Sequence, residues 1–344
     1  MTEPTLIYGK SNEYAAIPWA IRLADGAILL AFRIARKHGI DPSGYVVATR
    51  SEDGGETWGE PVVASDHYLV DDREPAMAQD AAGTVWMSVM GQRHRPGPYT
   101  CYVVRSRDGG MTWDAPIEFE SGREGFLLRH PFLTREGLAW AASLGKQYAP
   151  EDMPEAREES LAHGNYRAIV RLTETPEGWD REIESSPGWG VCDEWMAAER
   201  RDGLLCGLFR DGDYWISLEH IRGGILGERP KEALWHGGSC SRPFVLKLSD
   251  GRWAAAVDQR TLGEIRIWFS ENEGETWAGE ATVVQKGEWT REEDYGYPTL
   301  VEAGGGLLVF FYGYVPWNDK DRGIYMATLA LEGGMTNGHG AAGD

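Results

Sequence analysis

The sequence predicts an all-β chain folded as one six-bladed β-propeller, and three observations predict it. An eight-residue string recurs as Ser51-Glu52-Asp53-Gly54-Gly55-Glu56-Thr57-Trp58, as Ser106-Arg107-Asp108-Gly109-Gly110-Met111-Thr112-Trp113 and, with one change, as Ser270-Glu271-Asn272-Glu273-Gly274-Glu275-Thr276-Trp277. Pro18, Pro75, Pro131, Pro243 and Pro298 are separated by 57, 56, 112 and 55 residues, and the third gap is two periods. Six strongly apolar runs keep the same register: Ala27 to Phe32, Thr84 to Met90, Leu138 to Ser143, Leu204 to Phe209, Trp253 to Val257 and Leu307 to Tyr312. A period of roughly 55 residues with about four strands suits a propeller blade, whose sheet buries both faces only by stacking on its neighbours. A β-sandwich with long loops gives no reason for such a register.

Taken in order, Thr5 to Tyr8 is expected to supply the strand that closes the ring. Each repeated string follows a β-branched, aromatic-rich run (Tyr45 to Arg50, Thr100 to Arg105, Glu264 to Phe269) and precedes another extended segment, so each reads as a hairpin turn. Asp and Ser bond the turn's own backbone, the glycines accept positive φ, and the Trp plugs the space beneath. The fourth unit has Trp195 where the others have proline; Asp202-Gly203 follows it seven residues on, as Asp25-Gly26 follows Pro18. An acidic stretch at 146–165 interrupts the third unit as a surface insertion, short helix or lid. The propeller is expected over 1–332, and the Gly-rich residues 333–344 read as a frayed tail.

With 34 basic and 54 acidic residues the net charge is −20, which argues against nucleic acid or an anionic membrane as the partner. Cys101, Cys192, Cys206 and Cys240 lie far apart and the histidines have no ligand spacing, so neither a metal nor another cofactor is expected. The N-terminal Met-Thr-Glu-Pro opens no basic-then-apolar leader, and no segment reaches a membrane-spanning length; a soluble, cytoplasmic protein is expected.

In a propeller the start of a blade's first strand and the end of its second emerge on one face, and the repeated turns on the other. The first face collects Arg73 with Glu74, Arg129 with His130, Asp193 with Glu194, Arg242 and Tyr297 from strand starts, and Arg33, Arg36, Lys37, Asp41, Arg93, Arg95, Lys146, Arg210 and Arg260 from strand ends. Guanidinium groups concentrated in a funnel of low dielectric suit an anionic ligand, because Arg grips a carboxylate with two parallel hydrogen bonds. The competing reading makes several of them braces for Glu74, Asp193, Glu194 and Asp258.

The repeated string matches the Asp-box, or bacterial neuraminidase repeat, and from about Tyr14 to Leu331 the chain resembles the sialidases. That resemblance implies a β-propeller in which the boxes are structural. It also implies a tyrosine nucleophile activated by a glutamate, an aspartate acid/base and three arginines that hold the substrate carboxylate. Tyr297-Pro298-Thr299-Leu300 stands where the family's nucleophile opens the last blade. Asp193-Glu194 resembles its glutamate, with Arg210 the arginine that follows; Arg260 matches another arginine of the three, and Arg36 with Asp41 resembles the first-blade arginine and acid/base loop. A phenol suits this task because a carboxylate nucleophile would be repelled by the substrate's own carboxylate. One position departs: Tyr14-Ala15-Ala16-Ile17-Pro18 carries Ala16 where the family has its central arginine. Either Arg73, Arg129 or Arg242 takes over from a neighbouring blade, or the substrate is not sialic acid; losing one bidentate charged contact at a desolvated site costs on the order of a few kcal/mol, which favours the second.

The resulting expectation is an exo-acting glycoside hydrolase on a terminal acidic sugar of an oligosaccharide or glycoside, retaining, with Tyr297 as nucleophile, Glu194 as its base and Asp41 as acid. Arg36, Arg73, Arg129, His130, Arg210, Arg242 and Arg260 are the expected substrate contacts. The alternatives are a uronate lyase in which Tyr297 or His130 removes the proton α to the carboxylate, and a non-catalytic carbohydrate-binding propeller. Several residues also have bland readings: Asp41 before Pro42 as a turn residue, His130 as a satisfied structural histidine, Tyr297 as a channel-filling aromatic.

Overall fold

In the computed structural model the described residues are 3–93, 99–119, 126–144, 166–176, 178–185, 194–203, 205–210, 216–222, 225–226, 233–235, 240–290 and 294–331. They are almost entirely strand, with one 3-10 turn at Glu288–Thr290 and no α-helix. Residues 146–165 and 333–344, together with Arg95, Cys192 and Asp193, lie outside them.

The strands form antiparallel ladders taken in chain order. Tyr14–Arg22, Ile28–Ala35, Tyr45–Ser51 and Val62–Ser65 make the first; Asp71–Gln79, Val85–Gln92, Tyr99–Ser106 and Ile117–Phe119 the second. The third runs Phe126–Thr134, Gly137–Leu144, Tyr166–Thr175 and Gly178–Ser185, and the fourth is built on Trp195–Glu199, Leu205–Arg210 and Ile216–Arg222. Phe244–Lys247, Trp253–Gln259, Glu264–Ser270 and Ala278–Val284 make the fifth. Gly296–Ala303, Gly306–Val315 and Asn318–Ala330 make the last, whose strand Asn318–Ala330 also pairs with Thr5–Tyr8, with Thr5 opposite Met326, so both ends of the described chain share one sheet. A parallel bridge from Tyr14 to Arg322 joins this ladder to the first. The first strands of successive ladders pack on one another in a cycle that returns from Gly296–Ala303 to Tyr14–Arg22.

Second strands are covered on both faces. Ile28–Ala35 (ILLAFRIA) and Gly306–Val315 (GLLVFFYGYV) are buried along their whole length, which explains unbroken apolar runs where a half-exposed strand would alternate. The charged exception, Arg33, is fully buried and forks onto Asp71 of the second ladder, Nε to Oδ1 at 2.7 Å and Nη2 to Oδ2 at 2.8 Å.

The three repeated turns share one hydrogen-bond pattern. Asp53 accepts from Ser51 Oγ (2.8 Å), from the Thr57 amide (2.9 Å) and from Thr57 Oγ1 (2.5 Å), while Ser51 Oγ accepts from the Gly55 amide. Asp108 does the same for Ser106 and Thr112; Asn272 Oδ1 accepts from Ser270 Oγ and the Thr276 amide, while its Nδ2 donates to Thr276 Oγ1. The glycine after each turn's tip abuts the preceding ladder: a Cβ on Gly110 would stand 2.4 Å from Leu29, and on Gly274 2.7 Å from Cys206. The turns are therefore mortises between neighbouring sheets, each joining strands three and four of its own.

Three first strands share a local distortion. Ile17, Glu74 and Tyr297, each just before a proline, have φ of 58°, 53° and 52°, and the pairing slips at each. Bulges with a non-glycine residue at positive φ re-aim a side chain at an energetic cost, and they are found where function requires it.

Candidate active site

Beside the distorted ends of the first strands lies a cavity of about 220 Å³ lined by Arg73, Glu74, Arg129, Glu194, Arg260 and Tyr297, with Met90, Gln92, Tyr99 and His38 completing its wall. Tyr297 and Glu74 both reach it from the residue-before-proline bulge. Gly296, at φ 120°, precedes Tyr297; a Cβ there would meet Asp258 Oδ2 at 2.1 Å, so only glycine allows the strand this close to that carboxylate.

Asp258 is fully buried and organises two neighbours. Its Oδ1 accepts from the Ser241 amide and hydroxyl, both at 2.7 Å, and Ser241 Oγ in turn accepts the Tyr297 amide at 2.8 Å. Its Oδ2 accepts Arg260 Nε at 2.9 Å. One carboxylate thus fixes both the backbone of Tyr297 and a guanidinium beside its ring.

The Tyr297 hydroxyl donates to Glu194 Oε1, and both residues are buried. Burial, then the charge of Glu194, pushes the phenol well above its ordinary pKa, so Tyr297 is neutral and keeps its proton on the bond to Glu194. The Arg242 and Arg260 guanidinium carbons each lie 5.7 Å from the centre of the Tyr297 ring. Positive charge at that distance favours any negative charge that develops on the phenolic oxygen.

The cavity's cations are unevenly committed. Arg129 donates to Glu74 at 3.0 Å and to Ser143 Oγ at 3.0 Å. Arg73 is 5% exposed, and its nearest carboxylates, Asp71 at 3.6 Å and Glu74 at 3.9 Å, lie beyond hydrogen-bond distance; Nε and Nη1 have no partner. Arg260 Nη2 and the Gln92 Oε1 are likewise unpartnered. Buried N–H groups left unsatisfied carry a desolvation penalty of about 1–3 kcal/mol each, more for charged groups, and a bound anion would remove it.

Other expected contacts lie elsewhere. Arg242 is fully enclosed under the Tyr297 and Trp19 rings, 4.6 Å from the latter's centre, and does not line the cavity. His130 is fully buried among Trp19, Phe132 and Trp195 and lines a second, larger cavity of about 630 Å³ flanked by Trp19, Met196 and Phe244. Its Nε2 accepts from the Ala197 amide at 3.1 Å, and burial followed by the nearby Arg242 charge lowers its pKa to about 3. It is a neutral core histidine, not a substrate contact. The side chain of Arg210 lies outside the described residues.

Asp41 and Arg36 form a structural turn and do not line the cavity. The Asp41 carboxylate is buried and accepts from the Arg36 amide (2.8 Å) and side chain (3.2 Å) and from the Ser43 amide (3.1 Å) and hydroxyl (2.7 Å). Burial raises its pKa, but the bonds from Arg36 and Ser43 outweigh this and hold it well below the carboxylate range. A group so committed to its ionised form is a poor proton donor. Arg36 itself is 74% exposed on its side chain.

Glu74, read from sequence only as a possible brace, and His38, Gln92 and Tyr99 join the cavity without having been singled out. A signal existed for Glu74, which occupies the same pre-proline position as Tyr297; none existed for the others. Among the described residues no group of three His, Cys, Asp or Glu side chains is disposed to hold a metal ion.

No family model matches the chain, and no curated protein does. Solved structures do. A protein of unknown function from Dyadobacter fermentans is similar at TM-score 0.75 and 21% identity, over 96% of this chain and 98% of that one. The NanB sialidase of Streptococcus pneumoniae is similar at TM-score 0.66 and 12% identity, over 95% of this chain and 70% of that one. The α-L-arabinofuranosidase of Fusarium graminearum, solved with arabinobiose, is similar at TM-score 0.65 and 15% identity, over 96% and 98%. The chain thus has the fold of β-propeller glycosidases.

Proposed function

We propose that the chain is a six-bladed propeller glycoside hydrolase that releases a terminal carboxylate-bearing sugar with retention of configuration. The observation that carries this reading is the hydrogen bond from Tyr297 to Glu194 in the wall of a cavity that also holds Arg73, Arg129 and Arg260. Tyr297 Oη attacks the anomeric carbon as its proton passes to Glu194, giving a covalent glycosyl-tyrosine that water then opens. The neutral phenol approaches an anionic sugar without repulsion, and Arg242 and Arg260 offset the charge that builds on its oxygen. Six mutually packed first strands support the blade count.

The sugar's carboxylate would sit against Arg73, whose Nε and Nη1 make no hydrogen bond, and Arg260, whose Nη2 makes none. This is how the enzyme would manage with the buried, apolar Ala16 in the first ladder. Below the roughly 300–1,000 Å³ of pockets for drug-sized ligands, a cavity this size suits one sugar ring, hence exo action. A uronate lyase fits less well: because His130 does not line the cavity, its base would be Tyr297, whose raised pKa keeps the phenolate scarce. A non-catalytic scaffold would have no need to hold buried guanidinium groups short of partners.

The test is a screen of aryl glycosides of N-acetylneuraminic, glucuronic and galacturonic acids and of L-arabinofuranose, with the anomer of the first product read by NMR. Hydrolysis of an acidic glycoside with retention is expected. An unsaturated uronate product, inversion, or turnover confined to the neutral arabinofuranoside would overturn the reading.

A further inference from the structure

The geometry points to His38, oriented by Asp294, as the proton donor and acceptor of the reaction, in place of Asp41. The inference rests on the hydrolase reading above. His38 lies in the loop after Ile28–Ala35 and contributes to the wall of the cavity that holds Tyr297 and Glu194. Its position is built. Arg33, fully buried, donates to the carbonyls on either side of it, Lys37 at 3.0 Å and Gly39 at 3.2 Å, and Asp71 accepts the Asp41 amide at 3.0 Å. The Asp41 turn closes the same loop. The acid assigned from sequence therefore helps to form the loop that presents His38.

The ring is oriented as well. His38 Nδ1 lies 3.2 Å from Asp294 Oδ1 and 3.0 Å from the Tyr14 hydroxyl. Asp294 is itself held by Tyr14 (2.5 Å), Tyr312 (3.0 Å) and the Arg322 guanidinium (3.0 Å). A carboxylate on Nδ1 keeps a proton there and leaves Nε2 as the exchanging nitrogen. The His38 side chain is 51% exposed, so departing alcohol and incoming water can reach it, whereas Asp41 is enclosed.

The steps balance. As Tyr297 Oη bonds the anomeric carbon, its proton goes to Glu194, the glycosidic C–O bond breaks and the Nε2 proton of the His38 imidazolium passes to the leaving oxygen. Neutral His38 then takes a proton from water, whose oxygen displaces Tyr297; the proton on Glu194 returns to Oη. Asp294 is a positioning residue throughout.

The experiment compares 4-nitrophenyl and methyl glycosides of the acidic sugar cleaved in the screen, using wild type, His38→Gln, Asp41→Asn and Tyr297→Phe, each checked by thermal melting. Expected is a loss of about 10²–10⁴-fold for His38→Gln on the methyl glycoside, the range for general acid catalysis. Formation of the first intermediate from the nitrophenyl glycoside, whose leaving group needs no proton, is largely kept, and azide restores turnover with a glycosyl azide as product. A purely structural role for His38 produces neither the leaving-group dependence nor the azide product. The inference alone is overturned if Tyr297→Phe is inactive while His38→Gln matches wild type on the methyl glycoside, or if Asp41→Asn carries the azide signature instead. If wild type hydrolyses no member of the screen, or Tyr297→Phe keeps full turnover, the hydrolase reading falls and the inference with it.

Discussion

Tyr297 donates its hydroxyl proton to Glu194 although the two residues are 103 positions apart, one opening the last ladder and the other the fourth. Only stacking of whole sheets around a common centre brings them together, and each residue reaches that centre from the start of a first strand. Removing the Tyr297 hydroxyl by Tyr297→Phe is expected to lower kcat by about 10³-fold or more, as loss of a nucleophile does elsewhere. Stability should fall by about 1–3 kcal/mol, the penalty for leaving the buried Glu194 carboxylate short of a donor. Steady-state kinetics alongside urea unfolding checks both.

Arg73 is the least satisfied of the cavity's cations, with Nε and Nη1 unpartnered. Arg73→Gln is expected to lower kcat/KM about 10- to 100-fold on an acidic glycoside, equivalent to the roughly 1.5–3 kcal/mol of a hydrogen bond to a charged group. The same change should hardly affect the neutral analogue in which the carboxylate is a hydroxymethyl group. Equal losses on the two would remove Arg73 from carboxylate recognition.

Gly296→Ala forces a Cβ toward a point 2.1 Å from Asp258 Oδ2 at a backbone φ of 120°. A destabilisation of about 1–3 kcal/mol is expected from strain at such a position, with a larger proportional loss of kcat because Asp258 also fixes the Tyr297 amide through Ser241. Urea unfolding at neutral pH, paired with kinetics at saturating substrate, measures the two effects separately.

His130 is neutral in the fold, with its pKa lowered from 6.5 to about 3. Because the unfolded chain binds the proton first, the stabilisation is complete above about pH 6.5 and is lost as pH falls toward the folded value. At about 1.4 kcal/mol per pKa unit the gap is worth on the order of 5 kcal/mol. His130→Gln, which keeps an acceptor for the Ala197 amide, should flatten the decline in urea-derived stability between pH 7 and pH 4. A variant whose stability falls as steeply as wild type would mean that His130 is already protonated in the fold.

Periodicity was enough to read the ladders. The spacing of Pro18, Pro75 and Pro298 located the first strands, and the Ser51, Ser106 and Ser270 strings located turns between third and fourth strands, because both depend on contacts a few residues apart. Thr5–Tyr8 was placed for a different reason, since its partner is the distant strand Asn318–Ala330: a segment outside the six repeats was expected to close the ring. Tyr297, Glu194, Arg73, Arg129 and Arg260 could also be named from the chain, since register alone puts them at one end of their strands. Which of these side chains share a cavity depends on rotation about each strand and on which carboxylate claims which guanidinium. Those are long-range choices: Arg242 turns under two rings, His130 faces the other cavity, and Asp41 is consumed by Arg36 and Ser43 in a turn. The sequence by itself determined a repeating all-β fold of the propeller type, with arginines gathered at one end of its strands. Only the tertiary structure decided that Tyr297 meets Glu194 there, that Arg73 keeps two N–H groups without a hydrogen bond, and that His38 looks in from the rim, because buried polar groups choose partners across sheets that no local pattern records.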